Sequence, residues 1–143
     1  MGLMTLHPCV NLSFNGQCEA AFRHYEGCLN GKITFMLKWC DSPMAKNAPP
    51  AWGVKIAHAT LEIGNIRIQG SDPAPGGYET PRGFALSLDP DVAEAERLFA
   101  ALAEGGTVTV PLQQTFWARA FGVVTDRFGI PWIINAGESS AWG

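Results

Sequence analysis

The sequence predicts an α+β protein: two tandem βαβββ modules forming a cupped mixed β-sheet, in one domain over residues 1–143, with module one at about 5–72 and module two at about 82–137. Three observations carry this. Extended stretches alternate apolar and polar residues, whereas two others place apolar residues at three- and four-residue steps. The order strand, helix, strand, hairpin occurs twice. An offset of 75 takes Phe14, Cys18 and Gly31 onto Asp89, Ala93 and Gly106, each at the equivalent place in the second copy.

In module one, Leu6 to Phe14 alternates. Leu6, Val10, Leu12 and Phe14 form one set, with His7, Cys9, Asn11 and Ser13 opposite. After Asn15-Gly16, a helical stripe runs through Cys18, Ala21, Phe22, Tyr25 and Leu29, with Gly31 placed to end it. Ile33 to Trp39 reads as a strand, and Cys40 to Gly53 as a long irregular loop of the kind that forms lids or mobile edges. Val54 to Ile63 and Ile66 to Gly70 make a hairpin about Gly64-Asn65, where the leading glycine supplies positive φ. A two-residue turn fixes the register: Ile63 with Ile66, Glu62 with Arg67, Leu61 with Ile68 and Thr60 with Gln69. The face carrying Ala59, Leu61 and Ile68 is then the helix-covered one, and His58, Thr60, Glu62, Arg67 and Gln69 face away.

The Pro/Gly loop 71–81 separates the copies. Module two follows as strand Gly83 to Leu88, helix Asp91 to Ala103 with an acidic start, strand Thr107 to Leu112 and an aromatic-rich hairpin. In Asp126-Arg127-Phe128-Gly129 the aspartate caps a turn and Gly129 takes the position of positive φ. Phe116, Trp117, Phe121, Phe128 and Trp132 surround this turn, as core packing or as a platform for flat ligands.

Composition narrows the function. A hydrophobic fraction of 47%, a net charge of −3 and 143 residues suit a soluble domain that buries roughly two thirds of its unfolded surface. No basic stripe suggests nucleic acid, and no apolar run reaches the roughly 20 residues of a membrane span, so the expected location is cytoplasmic. Cys9, Cys18, Cys28 and Cys40 lack paired metal or redox spacing and read as free thiols. Residues 72–77 lack the lysine and following helix of a phosphate loop.

The run Phe116-Trp117-x(3)-Phe121-Gly122-x(3)-Asp126-x-Phe128-Gly129-x-Pro131-Trp132 resembles the closing hairpin of the vicinal oxygen chelate superfamily. That superfamily holds glyoxalase I, extradiol dioxygenases, and fosfomycin and bleomycin resistance proteins, and the wording is similar to its PhnB-like branch. The resemblance implies a cup, a small-molecule ligand and a homodimer. It also implies four metal-ligand positions, which fall here at Cys9, Gln69, Gly83 and Ile133. A glycine and an isoleucine donate nothing to an ion, and glutamine is a neutral amide. The expectation is therefore a binding protein without a cofactor, its ligand held by His7, Cys9, Asn11, His58, Thr60, Gln69, Trp117 and Phe121. Two alternatives stand beside it. One is a divalent-metal lyase, isomerase or dioxygenase using His7, His58 and Glu62. The other is a drug-sequestering protein with a dimer-interface groove of Trp39, Trp52, Trp117 and Phe121 that takes an aromatic antibiotic.

Overall fold

A computed structural model describes residues 6–137, and the chain divides into two compact units, Met1–Tyr78 and Glu79–Gly143. The first contains β1 (Val10–Ser13), α1 (Cys18–Cys28), β2 (Lys32–Lys38), β3 (Ile56–Ile63) and β4 (Ile66–Ser71). The second contains β5 (Leu86–Leu88), α2 (Val92–Ala103), β6 (Thr107–Gln113), β7 (Ala120–Thr125) and β8 (Pro131–Ala136). The sheets have orders β1-β4-β3-β2 and β5-β8-β7-β6, and in each the first pair is parallel and the other two antiparallel. Two mixed four-stranded sheets, each carrying one helix, are the tandem βαβββ architecture.

Each sheet buries one face against its helix. In module one, Leu12, Phe14, Ala59, Leu61 and Ile68 meet Cys18, Ala21, Phe22 and Tyr25 of α1, all at most 3% exposed. Phe22 stands edge-on to Phe14 with centroids 6.0 Å apart and lies over Gly70, where a Cβ would be 2.7 Å from its ring. Module two repeats the device: Ala95, Leu98, Phe99 and Leu102 of α2 cover Val124, Trp132 and Ile134, and a Cβ on Gly122 would lie 2.6 Å from the Phe99 ring. Burial of these side chains supplies the main drive to fold, at about 25 cal/mol per Å² of apolar area.

The β3–β4 hairpin has the register the Gly64-Asn65 turn dictates, with Gly64 at φ 59°. Other elements depart from the expectation. Asn30, not Gly31, takes the left-handed position after α1, at φ 55°, and Gly31 N–H reaches the Glu26 carbonyl at 3.1 Å. Gly31 is needed for space instead, since a Cβ there would lie 3.0 Å from the Glu62 carbonyl. The first strand of module two is only Leu86–Leu88, because Gly83 turns the chain at φ 84°. Asp91 is the N-cap residue of α2, but its side chain accepts no capping hydrogen bond.

The segment 40–53 is neither irregular nor a loose edge. Three 3-10 turns, Trp39–Asp41, Ala45–Asn47 and Pro50–Trp52, fold it, and Cys40 N–H closes it on the Gly53 carbonyl at 3.0 Å. The indole N–H groups of Trp39 and Trp52 both donate to the carbonyl of Asp72, at 2.8 and 3.5 Å.

Asp72, 1% exposed, joins these parts. Its Oδ1 accepts the N–H groups of Gly16 at 2.9 Å and Cys18 at 3.0 Å, and its Oδ2 that of Ile56 at 2.9 Å. The start of α1 and the start of β3 are thereby fastened to the end of β4. Burial pushes the Asp72 carboxyl above the usual carboxylate range, while those three N–H groups and the Lys55 ammonium pull it back. Burial likewise pushes the Cys18 thiol well up, helped by the charges of Asp72 and Glu19, so it stays a protonated core thiol.

Asp72→Asn places an N–H donor against the Ile56 N–H and is expected to cost about 1–3 kcal/mol in urea unfolding. The folded-state pKa of Asp72 lies above the unfolded one, so its stabilising contribution is complete below the unfolded value near about 3.9 and shrinks as the pH rises through the folded value. The gap between wild type and variant therefore narrows from acidic to neutral pH. A widening gap contradicts this assignment.

Candidate functional site

The sheet face away from each helix carries the candidate residues. In module one the strands place Asn11, Gln69, Thr60 and Phe35 in one row across all four strands, as successive pairing partners. Alternation with the buried residues Leu12, Gly70, Ala59 and Leu61 turns this row away from α1. Thr60 is buried, Gln69 half-buried and Asn11 exposed. His58 lies two positions from Thr60 on the same side, its ring 5.8 Å from that of Phe35.

At the turn end of this face is a cavity of about 550 Å³ lined by His7, Cys9, Glu62, Ile66, Arg67 and the Gly64-Asn65 turn. Glu62 and Arg67 are opposed in register, yet no ion pair links them, against the expectation that cross-strand neighbours of opposite charge would join. Both charges are left to the cavity. The eight expected ligand residues thus fall into three places: His7 and Cys9 in the cavity, Asn11, Thr60, Gln69 and His58 along the open face, and Trp117 and Phe121 in the other module. Glu62 and Arg67 join the first place, and the hairpin register already set them side by side there.

In module two, Phe121, Ile133 and Asn135 share the side away from α2, paired as Phe121 with Asn135 and Val123 with Ile133. Trp117 stands edge-on to Phe121 at 5.0 Å and Phe116 edge-on to Trp117 at 4.7 Å, an aromatic ladder whose outer ring is 73% exposed. Phe128 and Trp132 are core. Asp126 holds the turn there, accepting Phe128 and Ile130 N–H at 2.9 and 3.0 Å and the Trp132 indole at 2.8 Å. Gly129 has φ 90°.

The two registers place the modules on one frame. Gly70 pairs with Leu12 and Ala59, and Ile134 pairs with Leu88 and Gly122. With Gly70 and Ile134 taken as the matching pair, His58 corresponds to Phe121, Gln69 to Ile133, Asn11 to Ser87 and Glu62 to Thr125, and β1 maps onto β5 with an offset of 76 rather than the expected 75. The open face of module one carries His58, Gln69, Asn11 and Glu62 at these positions, whereas that of module two mixes Phe121 and Ile133 with Ser87, Thr125 and Asn135.

A divalent ion does not fit the donors present. Of the four implied positions, Cys9 lines the cavity, Gln69 offers an amide, Gly83 has no side chain and Ile133 is aliphatic. His7 and Glu62 share the cavity with the cation of Arg67, while His58 packs on Phe35 and does not line it. Among the described residues no group of three or more His, Cys, Asp or Glu side chains is arranged to hold a metal. The tryptophan groove loses a member as well, since Trp39 is 8% exposed with its indole committed to Asp72. No helix among the described residues is long and apolar enough to cross a membrane.

The model of the Glyoxalase/Bleomycin resistance protein/Dioxygenase superfamily matches residues 6–134. Protein YjdN of Escherichia coli (strain K12) is 38% identical over 133 residues, covering 87% of this chain and 90% of its own length. The crystal structure of protein PA1353 from Pseudomonas aeruginosa is 45% identical with a TM-score of 0.85, covering 94% of this chain and 100% of that one. A PhnB protein from Bacillus cereus, named for 3-demethylubiquinone-9 3-methyltransferase, is 18% identical with a TM-score of 0.79 over 92% of this chain and 100% of its own. This last likeness is one of fold.

The open face and the helix-covered face respond differently to substitution. His58→Ala and Gln69→Ala are expected to change unfolding free energy by less than about 1 kcal/mol, as side chains outside the core do. Gly70→Ala, one residue on, drives a methyl into the Phe22 ring and is expected to cost about 1–3 kcal/mol. Urea unfolding of the three variants checks the assignment, and a reversed order contradicts it.

Proposed function

The chain belongs to the Glyoxalase/Bleomycin resistance protein/Dioxygenase superfamily, and from that premise we propose that it binds a small organic ligand on the open faces of its sheets without the superfamily's metal quartet. The observation that supports this reading is that three of the four ligand positions implied by the family resemblance hold residues without a hard donor. Where a metalloenzyme needs hard donors, this chain has Gln69, Gly83 and Ile133. In their place module one supplies hydrogen-bonding groups from Asn11, Thr60 and Gln69 and charges from Glu62 and Arg67 beside the cavity. Such a surface orients a polar ligand through a few directional contacts. A guanidinium with no carboxylate partner among the described residues suits a carboxylate or phosphate group on that ligand.

The methyltransferase name of the Bacillus cereus protein is not carried over to this chain. Methyl transfer from a bound nucleoside donor normally uses a doubly wound sheet with a glycine-rich first turn, and these two mixed sheets have another topology. No step is derived through a metal, because the donor set does not fit one. A homodimer belongs to the proposal: β2 and β6 each end their sheet with an edge open to pairing, and sedimentation at two protein concentrations tests it.

The aromatic ladder favours a second reading, in which module two sequesters a flat aromatic drug against Trp117 and Phe121. Saturable quenching of tryptophan fluorescence by such a compound, abolished by Trp117→Phe, is its expected sign.

For the main reading, amide NMR shifts of the labelled protein with a panel of small carboxylates and phosphates are expected to move Thr60, Arg67 and Gln69. Arg67→Gln is expected to weaken the best binder about tenfold, the loss of one charge-assisted contact. Hits confined to the helix-covered faces, or an unchanged affinity in Arg67→Gln, contradict the proposal.

A further inference from the structure

On the opposite face of module two, between α2 and the end of β6, lies a groove of about 510 Å³ that plays no part in the reading above. Its helix wall is a single stripe of α2, Val92, Glu96, Phe99 and Ala100, at three- and four-residue steps. Leu112 and Gln113 of β6 and Arg119, which precedes β7, form the other wall.

Two glycines shape this groove. A Cβ on Gly122 would lie 2.6 Å from the Phe99 ring and 3.1 Å from the Leu112 Cα, so the missing side chain lets Phe99 settle as a floor. At Gly137, with φ +66°, a Cβ would lie 2.9 Å from Val92 Cγ2 and 3.0 Å from the Arg119 Cβ and Cδ. Its absence lets the Arg119 stem rest beside Val92 at one end of the groove. The ion pairs formed by arginines among the described residues are those of Arg23 and Arg97, and Arg119 has no carboxylate partner there. One cation thus stands at the end of an apolar floor.

We propose that this groove is a second ligand site, taking small organic acids with an apolar body, the acid group at Arg119 and the body over Phe99 and Leu112. The chemistry of each end follows from its lining: a guanidinium binds carboxylate or sulfonate through paired N–H groups, and the apolar wall covers the rest of the molecule. Glu96 sets the charge limit. It lies four residues beyond Val92, about 6 Å along the helix, and repels a second negative charge, so monoanions bind in preference to dianions.

Anilinonaphthalene sulfonate, a monoanion with an aromatic body, is the probe, titrated by fluorescence into the full chain. Saturable binding is expected, weakened about tenfold or more by Arg119→Gln and tightened by Glu96→Gln. Ala100→Trp, at an exposed helix position, fills the groove and is expected to abolish binding while circular dichroism stays that of the wild type. Arg23→Gln, an exposed arginine of α1 outside both sites, leaves this affinity unchanged, so a loss in Arg119→Gln reports the groove rather than general surface charge. No saturable binding, wild-type affinity in both Arg119→Gln and Ala100→Trp, or an equal loss of binding in Arg23→Gln overturns the proposal.

Discussion

A buried carboxylate in water-poor surroundings must collect donors, and Asp72 collects them from segments far apart in the chain. Its two oxygens hold Gly16 just ahead of α1, Cys18 at its first position and the first residue of β3, and its carbonyl holds two indoles of the intervening segment. The consequence for function is geometrical. With the start of β3 fixed on the end of β4, the alternation of both strands is fixed, and with it the set of side chains that turns away from α1. A slip of one residue would exchange Thr60 and Gln69 for Leu61 and Gly70. Module two reaches a similar end by local means, since Asp126 holds its own turn and, through the Trp132 indole, the strand that follows.

Duplication gave two copies of one frame, and the copies have divided the chemistry. At matching register positions module one has His58 and Gln69 where module two has Phe121 and Ile133, while Asn11 and Ser87 are both polar. Backbone pairing is kept because it serves both copies, whereas the outward residues are free to change without loss of core. The metal-ligand positions that the family resemblance implies fall in this chain at Cys9, Gln69, Gly83 and Ile133. Module one sets charges at Glu62 and Arg67, whereas module two sets an aromatic ladder at Phe121, Trp117 and Phe116. The helix-covered faces show the opposite constraint: in both, a glycine accommodates an aromatic ring, Gly70 under Phe22 and Gly122 under Phe99.

What the sequence made legible was local. A two-residue turn set the hairpin register, three- and four-residue stripes marked the buried sides of α1 and α2, and Asp-x-Phe-Gly showed its own turn. What it hid depends on partners distant in the chain. Asp72 sits among prolines and glycines and reads as loop, because its donors Gly16 and Cys18 lie 56 and 54 residues away. The indole bonds that order residues 40–53 are invisible for the same reason. Glu62 and Arg67 were placed side by side by register, but whether long side chains meet is a matter of rotamers that no spacing records. The helix-side groove was missed entirely, since its shape comes from two absent Cβ atoms rather than from any motif.

The central claim is that this scaffold keeps the superfamily's frame while its metal-ligand positions no longer bind a metal. Elemental analysis of protein purified without a metal-binding tag, before and after equilibration with excess nickel, zinc, manganese or iron, tests it most directly. The account predicts no stoichiometric metal under any of these conditions, and one tightly held ion per chain would contradict it.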